Sequence, residues 1–285
     1  TEIYTLSLHD ALPILAKRKK SVRIVVTAHG MLGQHALDVK SAKKRIFLKI
    51  ARLTGLYKNV IFHAANEAEA ADILNATGKH SKVMIAEELP MKIELEPWTA
   101  KEKKADELNI VSVARISPEK NTLFALEVLS QCHKGKINYD IYGPVYDQDY
   151  WNKCLNLIEN MPANVKVNYK GSIPGHQVLS ILKSSQLMFM PTTGENFGHT
   201  ILESFMAATP VLISDKTPWI LPAEKKSGWA LPLDNKEEFV NIIERLLEMN
   251  SEDYNHFSLG ARQKAADFMA DQSVLKQNIK LFQDE

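Results

Sequence analysis

Eight short runs rich in β-branched and aromatic residues punctuate the chain, and helical patterns fill the gaps between them. The runs are VRIVVTA (22–28), NVIFHAA (59–65), KVMIA (82–86), NIVSVA (109–114), INYDIYG (137–143), VKVNYKG (165–171), LMFM (187–190) and PVLIS (210–214), each suited to one strand. LFALEVLSQC, by contrast, sets Leu123, Leu126 and Leu129 at helical spacing. Repetition of strand, helix, strand allows few folds, because parallel strands need crossovers and the crossover helices cover the sheet faces. An α/β fold with parallel sheets is therefore expected. Asn66 with Glu69 three residues on forms a capping box for EAEAADILNA, and Asp234 is placed to cap NKEEFVNIIERLLEM.

The alternation breaks once. ELPMKIELEPWTAKEKKADE, residues 88–107, carries Pro90 and Pro97 in a dense charge run without a helical apolar stripe, which marks a linker. At most three strands precede it and five follow, with a helical tail from about Asp234 to Phe282. A length of 285 residues suits about two domains.

Composition narrows the function classes. A chain with 45% hydrophobic and 24% charged residues is ordinary for a globular protein, and a net charge of +1 gives no global field for nucleic acid or acidic substrates. Cys132 and Cys154 make neither a disulfide framework nor a metal spacing, which fits a reducing compartment. No apolar run approaches the ~18 residues that span a bilayer, and the N-terminus lacks a signal-peptide layout, so the expected location is cytoplasmic. Charge is unevenly placed, since the basic residues from Lys17 to Lys58 face only Asp38. Within that run, Lys40–Arg52 is expected either to contact anionic lipid peripherally, at the inner face of the cell membrane, or to form a solvated helix face.

The stretch GENFGHTILESF, residues 194–205, holds two glutamates, Glu195 and Glu203, directly after an apolar strand. In open parallel sheets ligands bind beyond the carboxyl ends of the strands, where helix N-termini converge. A helix predicted from about Phe197 to Ala208 offers its first-turn amides and about half a positive charge to an anion, and Gly198 permits close approach of phosphate to backbone. A carboxylate placed like Glu203 can accept both hydroxyls of a vicinal diol such as ribose. Acids at a helix start are also ordinary dipole partners. Arg115, directly after NIVSVA, and Lys120, five residues on in VARISPEKN, add two cations to the same rim, where a departing diphosphate needs donors and positive charge. Taken singly they would pair on the surface with Glu119 or Asp106; taken with the helix start and Glu203, the phosphate role is preferred.

VARISPEKN, IYGP, KGSIPGHQV and PTTGENFGHTILESFMAATPVLISDKTPW occur in that order between about Asn109 and Leu233. Together they resemble the donor-binding domain of retaining GT-B glycosyltransferases, specifically family 4, which uses nucleotide sugars. The resemblance implies a complete Rossmann-like donor domain at 91–270, a partial N-terminal acceptor domain at 15–90, and a helix at 271–285 packing back toward the latter. It implies catalytic roles for Glu195, Arg115 and Lys120, and donor-binding roles for Asn196, Phe197, Gly198, His199, Thr200, Glu203 and Gly143. Arg115 and Lys120 would neutralise the diphosphate, and Glu203 would hold the ribose. Glu195 would lie at the transferred sugar, either as nucleophile or as a positioned charge in a front-side displacement. No metal is implied, nor any cofactor beyond a UDP- or GDP-linked donor; Asp147 and Asp149 accordingly read as a loop and helix cap. Trp219 and Trp229 either line the cleft or pack helices against the sheet, the commoner case.

VTAHGMLGQHALDVKSAKKRIFLKIA and FHAANEAEAADI resemble the end of that family's acceptor domain more weakly. The opening strand and glycine-rich turn of such a domain have no counterpart before Ser21, and His29, His35 and His63 are expected to be structural. Residues 1–14, TEIYTLSLHDALPI, resemble translated sequencing-adapter read-through; the expectation is a truncated chain with an artificial start, the alternative a short genuine disordered terminus. Three functions compete: hexosyl transfer from a UDP- or GDP-sugar to a glycan or lipid-linked acceptor with retention, a truncated non-catalytic nucleotide-sugar-binding module, and, less favoured, a GT-B epimerase or phosphorylase.

Overall fold

A computed structural model of the protein describes residues 23–33, 37, 41–89 and 95–283. Residues 1–14, His35 and, within the basic run, Lys17 to Lys20, Asp38 and Lys40 lie outside the described residues. The chain forms two compact units, Thr1–Leu89 with Asp271–Glu285, and Pro90–Ala270.

In the first unit, β1 (Ile24–Thr27), β2 (Val60–Ala64) and β3 (Lys82–Ile85) make a parallel sheet in that order. Every residue of β2 is buried, as a central strand covered on both faces requires. Helices α1 (Ser41–Leu53) and α2 (Glu67–Thr77) contribute Leu48, Ala70, Ile73 and Ala76 to its core. Asn66 caps α2 by accepting from Glu69 N at 2.9 Å. The Glu69 carboxylate turns back to Ala65 N at 2.7 Å and Gly30 N at 2.6 Å, so it secures the preceding loop as well as the helix start. His63 is structural: its ring lies 3.1 Å from Thr27 Oγ1 and 2.7 Å from Ala86 O. His29 pairs with Glu88 at 3.1 Å.

The second unit holds six parallel strands in the order β6-β5-β4-β7-β8-β9. They are β4 (Glu107–Val113), β5 (Lys136–Tyr142), β6 (Val165–Gly171), β7 (Leu187–Met190), β8 (Val211–Ser214) and β9 (Gly228–Leu231). Helices α3 (Thr122–Leu129), α4 (Gln148–Ile158), α5 (Gly175–Lys183), α6 (His199–Met206), α7 (Lys236–Glu248) and α8 (Ser251–Ala270) flank the sheet. Alternate strand residues serve two cores. Ile110, Phe189 and Leu212 pack with α3, α4 and α7, while Val111, Met188, Met190 and Ile213 pack with α5, α6 and α8. The order reverses between β4 and β7, so their carboxyl ends open a crevice at a topological switch point.

Four expectations need correction. This unit has six strands, because SGWALPL contains β9; its four residues begin at Gly228, where a Cβ would stand 2.2 Å from Val211 O. The cap of α7 is Asn235, which accepts from Glu238 N, and not Asp234. The helix after β7 runs from His199 to Met206, shorter at both ends than expected. Finally, β4 begins at Glu107, and residues 95–106 form a fixed strap on the unit. Trp98 Nε1 donates to Ser258 Oγ at 3.1 Å, and the backbone of Lys101 exchanges hydrogen bonds with the Asn255 amide. Lys103 is buried and donates within the strap to Lys104 O at 2.7 Å and across to Leu247 O at 3.4 Å and Met249 O at 3.3 Å, satisfying carbonyls at the C-terminal end of α7. Charge in this stretch is thus used for anchoring.

In the first unit, α9 (Gln272–Phe282) receives Arg23, whose guanidinium donates to Leu281 O at 2.7 Å and Lys280 O at 3.2 Å. Among the described residues no helix is long and apolar enough to cross a membrane. Cys132 and Cys154 are free and buried, and burial pushes their thiols up to about 12 and about 11, which leaves them unreactive near neutral pH.

Candidate active site

Three strand ends build the site. Beyond β4, Ala114–Ile116 runs beside Gly143–Tyr146 beyond β5, tied by Ile116 N to Pro144 O at 2.9 Å and Tyr146 N to Ile116 O at 3.1 Å. The approach is close enough to demand a glycine: Gly143 has φ 142°, and a Cβ there would stand 1.9 Å from Ala114 O. The requirement on Gly143 is therefore steric, and its effect is to fix the backbone that carries Arg115. The Arg115 guanidinium lies over the ring of Tyr146, 5.2 Å from its centroid, and pairs with Glu119 at 3.0 Å. Asp106 sits before β4, at the opposite end of the strand from Arg115, and is not its partner.

The loop beyond β7 is stitched on both sides. Thr193 N donates to Glu119 O at 2.8 Å, Ser214 Oγ donates to Thr192 O at 2.5 Å, and Glu195 N donates to Lys216 O at 3.0 Å. These bonds bring Glu195 to Lys120. The ammonium and carboxylate are in direct contact, while Lys120 keeps a longer approach of 3.8 Å to Glu119. Arg115, Lys120 and Glu195 therefore converge at the switch point, with Glu119 joining the two cations.

Residues Asn196–Gly198 turn the chain into α6. Gly198 has φ 81°, and a Cβ would stand 2.8 Å from Ile201 Cδ1; the glycine answers a left-handed cap packed on its own helix. Phe197 turns its side chain into the core, leaving its main chain to the turn. Its ring is buried against Trp219 at 5.4 Å and Phe268 at 5.6 Å, and its carbonyl accepts from Trp219 Nε1 at 2.5 Å. Trp219 is thus a packing residue, as is Trp229, which stacks on Phe257 at 4.7 Å. His199 is exposed with its ring 4.9 Å from Phe197, and Asn196 and Thr200 are half-buried beside it.

Glu203 stands apart from the ion-paired cluster on α6. It is half-buried and forms no side-chain hydrogen bond or ion pair among the described residues. Burial raises its carboxyl above the ordinary value, and His199 opposes that rise. A partly desolvated acceptor without a donor is suited to hydroxyl groups brought by a ligand. Asp147 and Asp149 lie at the start of α4, where Asp147 Oδ1 caps Tyr150 N at 2.9 Å.

Sequence reasoning missed the roles of Tyr146, Thr193 and Lys216. Only an aromatic residue two positions after the Gly-Pro turn hinted at the first; the others act through backbone groups and leave no mark of residue type.

A family model described as glycosyl transferases group 1 matches residues 96–264. The chain belongs to that family. No curated protein matches it. Among solved structures, Anabaena HepE in complex with UDP and glucose is similar with a TM-score of 0.70 and 16% identity, over 94% of this chain and 72% of that one. WaaG, a glycosyltransferase involved in lipopolysaccharide biosynthesis, gives 0.66 and 12% over 100% and 86%. A TarM mutant from S. aureus, in complex with Fondaparinux, alpha-GlcNAc-glycerol and UDP, gives 0.63 and 18% over 91% and 50%. This glycosyltransferase has the GT-B fold, with parallel α/β units of Rossmann type.

Proposed function

We propose that the protein is a retaining glycosyltransferase of family 4 that moves a hexose from a UDP- or GDP-sugar to a glycan or lipid-linked acceptor. The observation that carries this reading is the meeting of Arg115, Lys120 and Glu195 where β4 and β7 diverge. A diphosphate leaving group gains negative charge as the glycosidic bond breaks, and preorganised cations lower that barrier. Arg115 brings a planar fork of donors. Lys120 retains ammonium protons beyond the one directed at Glu195. Glu203 supplies the acceptor for the ribose hydroxyls, and Glu195 lies where the sugar would be transferred. The similarity to HepE in complex with UDP and glucose, and to TarM in complex with UDP and Fondaparinux, supports the donor class. UDP, GDP and ADP added separately to the protein test it: the cognate nucleotide raises the melting temperature, since a ligand that binds only the folded state stabilises it. Retention is checked by following the anomeric configuration of the product by NMR.

One observation favours a nucleotide-binding module without transfer: Arg115, Lys120, Glu195 and Glu203 all belong to the unit Pro90–Ala270. Nucleotide binding with neither transfer nor donor hydrolysis would select that reading. For the acceptor side we propose peripheral contact with the cytoplasmic face of an anionic membrane. Helix α1 exposes Ile46, Ile50 and Leu53 on one face, with Lys43 and Lys49 exposed nearby. Co-sedimentation with phosphatidylglycerol vesicles but not with phosphatidylcholine vesicles is the expected result, and equal recovery with both would remove the proposal.

A further inference from the structure

We infer that Glu119 is an internal counter-ion of the donor site, holding Arg115 until an anion arrives and then yielding that guanidinium to the anion. The inference rests on the donor-site reading above and adds a positioning residue to it.

Two cations, Arg115 and Lys120, are matched in the site by two carboxylates, Glu119 and Glu195. A diphosphate approaching this arrangement meets no net positive charge, so one pair has to open for a cation to engage it fully. Exposure decides which. Arg115 and Glu119 are 44% and 46% exposed, whereas Lys120 and Glu195 are each 13% exposed. A surface pair at i, i+4 spacing contributes little, and water solvates Glu119 once it is released. Opening the other pair would strand a carboxylate in a sheltered place at a much larger cost. Arg115 therefore exchanges partners, and Lys120 keeps Glu195 while turning its remaining donors to the ligand.

Two further contacts suit such an exchange. Tyr146 lies under the guanidinium and holds it at the rim through a cation–π contact that does not depend on Glu119. The main chain of Glu119 is pinned through its carbonyl to Thr193 N at 2.8 Å, so only the side chain has to swing. The loop beyond β7 then stays in register throughout.

Isothermal titration with UDP, GDP and inorganic pyrophosphate at low ionic strength tests this on the full chain. Glu119→Gln is expected to bind about two- to fivefold tighter than wild type, the scale of an exposed ion pair. Glu119→Asp, which keeps the charge, should show no comparable gain. In an Arg115→Ala background the gain should vanish, because the carboxylate acts through that guanidinium. A general loss of structure would weaken binding, so the sign of the change separates the two causes. Wild-type or weaker affinity in Glu119→Gln, an equal gain in Glu119→Asp, or a gain that persists without Arg115 would each overturn the counter-ion role. Failure of unmodified protein to bind any of the three probes would overturn the donor-site reading instead, and this inference with it.

Discussion

Lys120 and Glu195 meet as a sheltered ion pair across the junction of β4 and β7, although 75 residues separate them in the chain. Neither strand end alone creates the site. The pair exists because strands that are first and fourth in this sheet's sequence order are neighbours in space.

Loss of either cation should be felt in the chemical step. Arg115→Ala and Lys120→Ala are each expected to lower turnover by roughly 10²-fold or more, the scale for removing a transition-state donor. The two should differ in stability. Arg115→Ala, at an exposed position, should stay within about 0.5 kcal/mol of wild type, whereas Lys120→Ala leaves Glu195 unpaired and should unfold at lower urea concentration. Steady-state kinetics with urea titrations separates these effects.

Glu203 gives a prediction with a pH signature. Its folded carboxyl is raised by burial, so the folded state holds a proton more tightly than the unfolded chain does. Stability is therefore lost as pH rises from the ordinary carboxyl value through the folded one. Glu203→Gln should raise the melting temperature of the free protein at pH 7 and change it little where the wild-type carboxyl is protonated. The same substitution should weaken nucleotide binding by about 1.5–3 kcal/mol, the range for hydrogen bonds to a charged group. Calorimetry with UDP and GDP measures the second effect.

Gly143→Ala should destabilise the fold by at least about 1–3 kcal/mol from backbone strain alone, before any displacement of Ala114. Because the shift would move the backbone that carries Arg115, turnover should fall further than the residual folded fraction explains. Equilibrium unfolding and single-turnover rates on the same sample give both numbers.

The strap supplies a test independent of the site. Lys101 Nζ donates to Thr209 Oγ1 at 2.7 Å, and burial lowers its amine from 10.5 to about 7. Between those values the unfolded chain carries a proton that the folded one has lost, so stability rises with pH across that window. Lys101→Met should remove the rise. Urea midpoints for both proteins at several pH values between 6 and 10.5 check it.

Much of the architecture was legible because buried parallel strands have to be continuous apolar runs, as in VIFHA, LMFM and VLIS. The same logic failed for β9, where Gly228 opens the strand and Trp229 to Leu231 are only half-buried, so that the strand is hidden until its neighbour Val211 is known. Around the site, the switch-point rule placed cations and acids on one rim. It did not separate residues facing a ligand from those facing the core. Phe197 beside Glu195 looks alike in either role, and the contact that decides, with Trp219, comes from 22 residues further on. In residues 95–106 the lysines were visible, but the carbonyls awaiting Lys103 at the end of α7 were not.

The stitching of the rim by main-chain atoms has a wider consequence. Ile116 to Pro144, Thr193 to the Glu119 carbonyl and Glu195 to the Lys216 carbonyl are bonds between peptide groups, which every amino acid brings except that proline lacks the donor. Side chains of the mouth other than the paired charges can thus change while the frame presenting them keeps its shape. A scaffold of this kind can exchange one sugar or acceptor for another by altering its lining and leaving its skeleton alone.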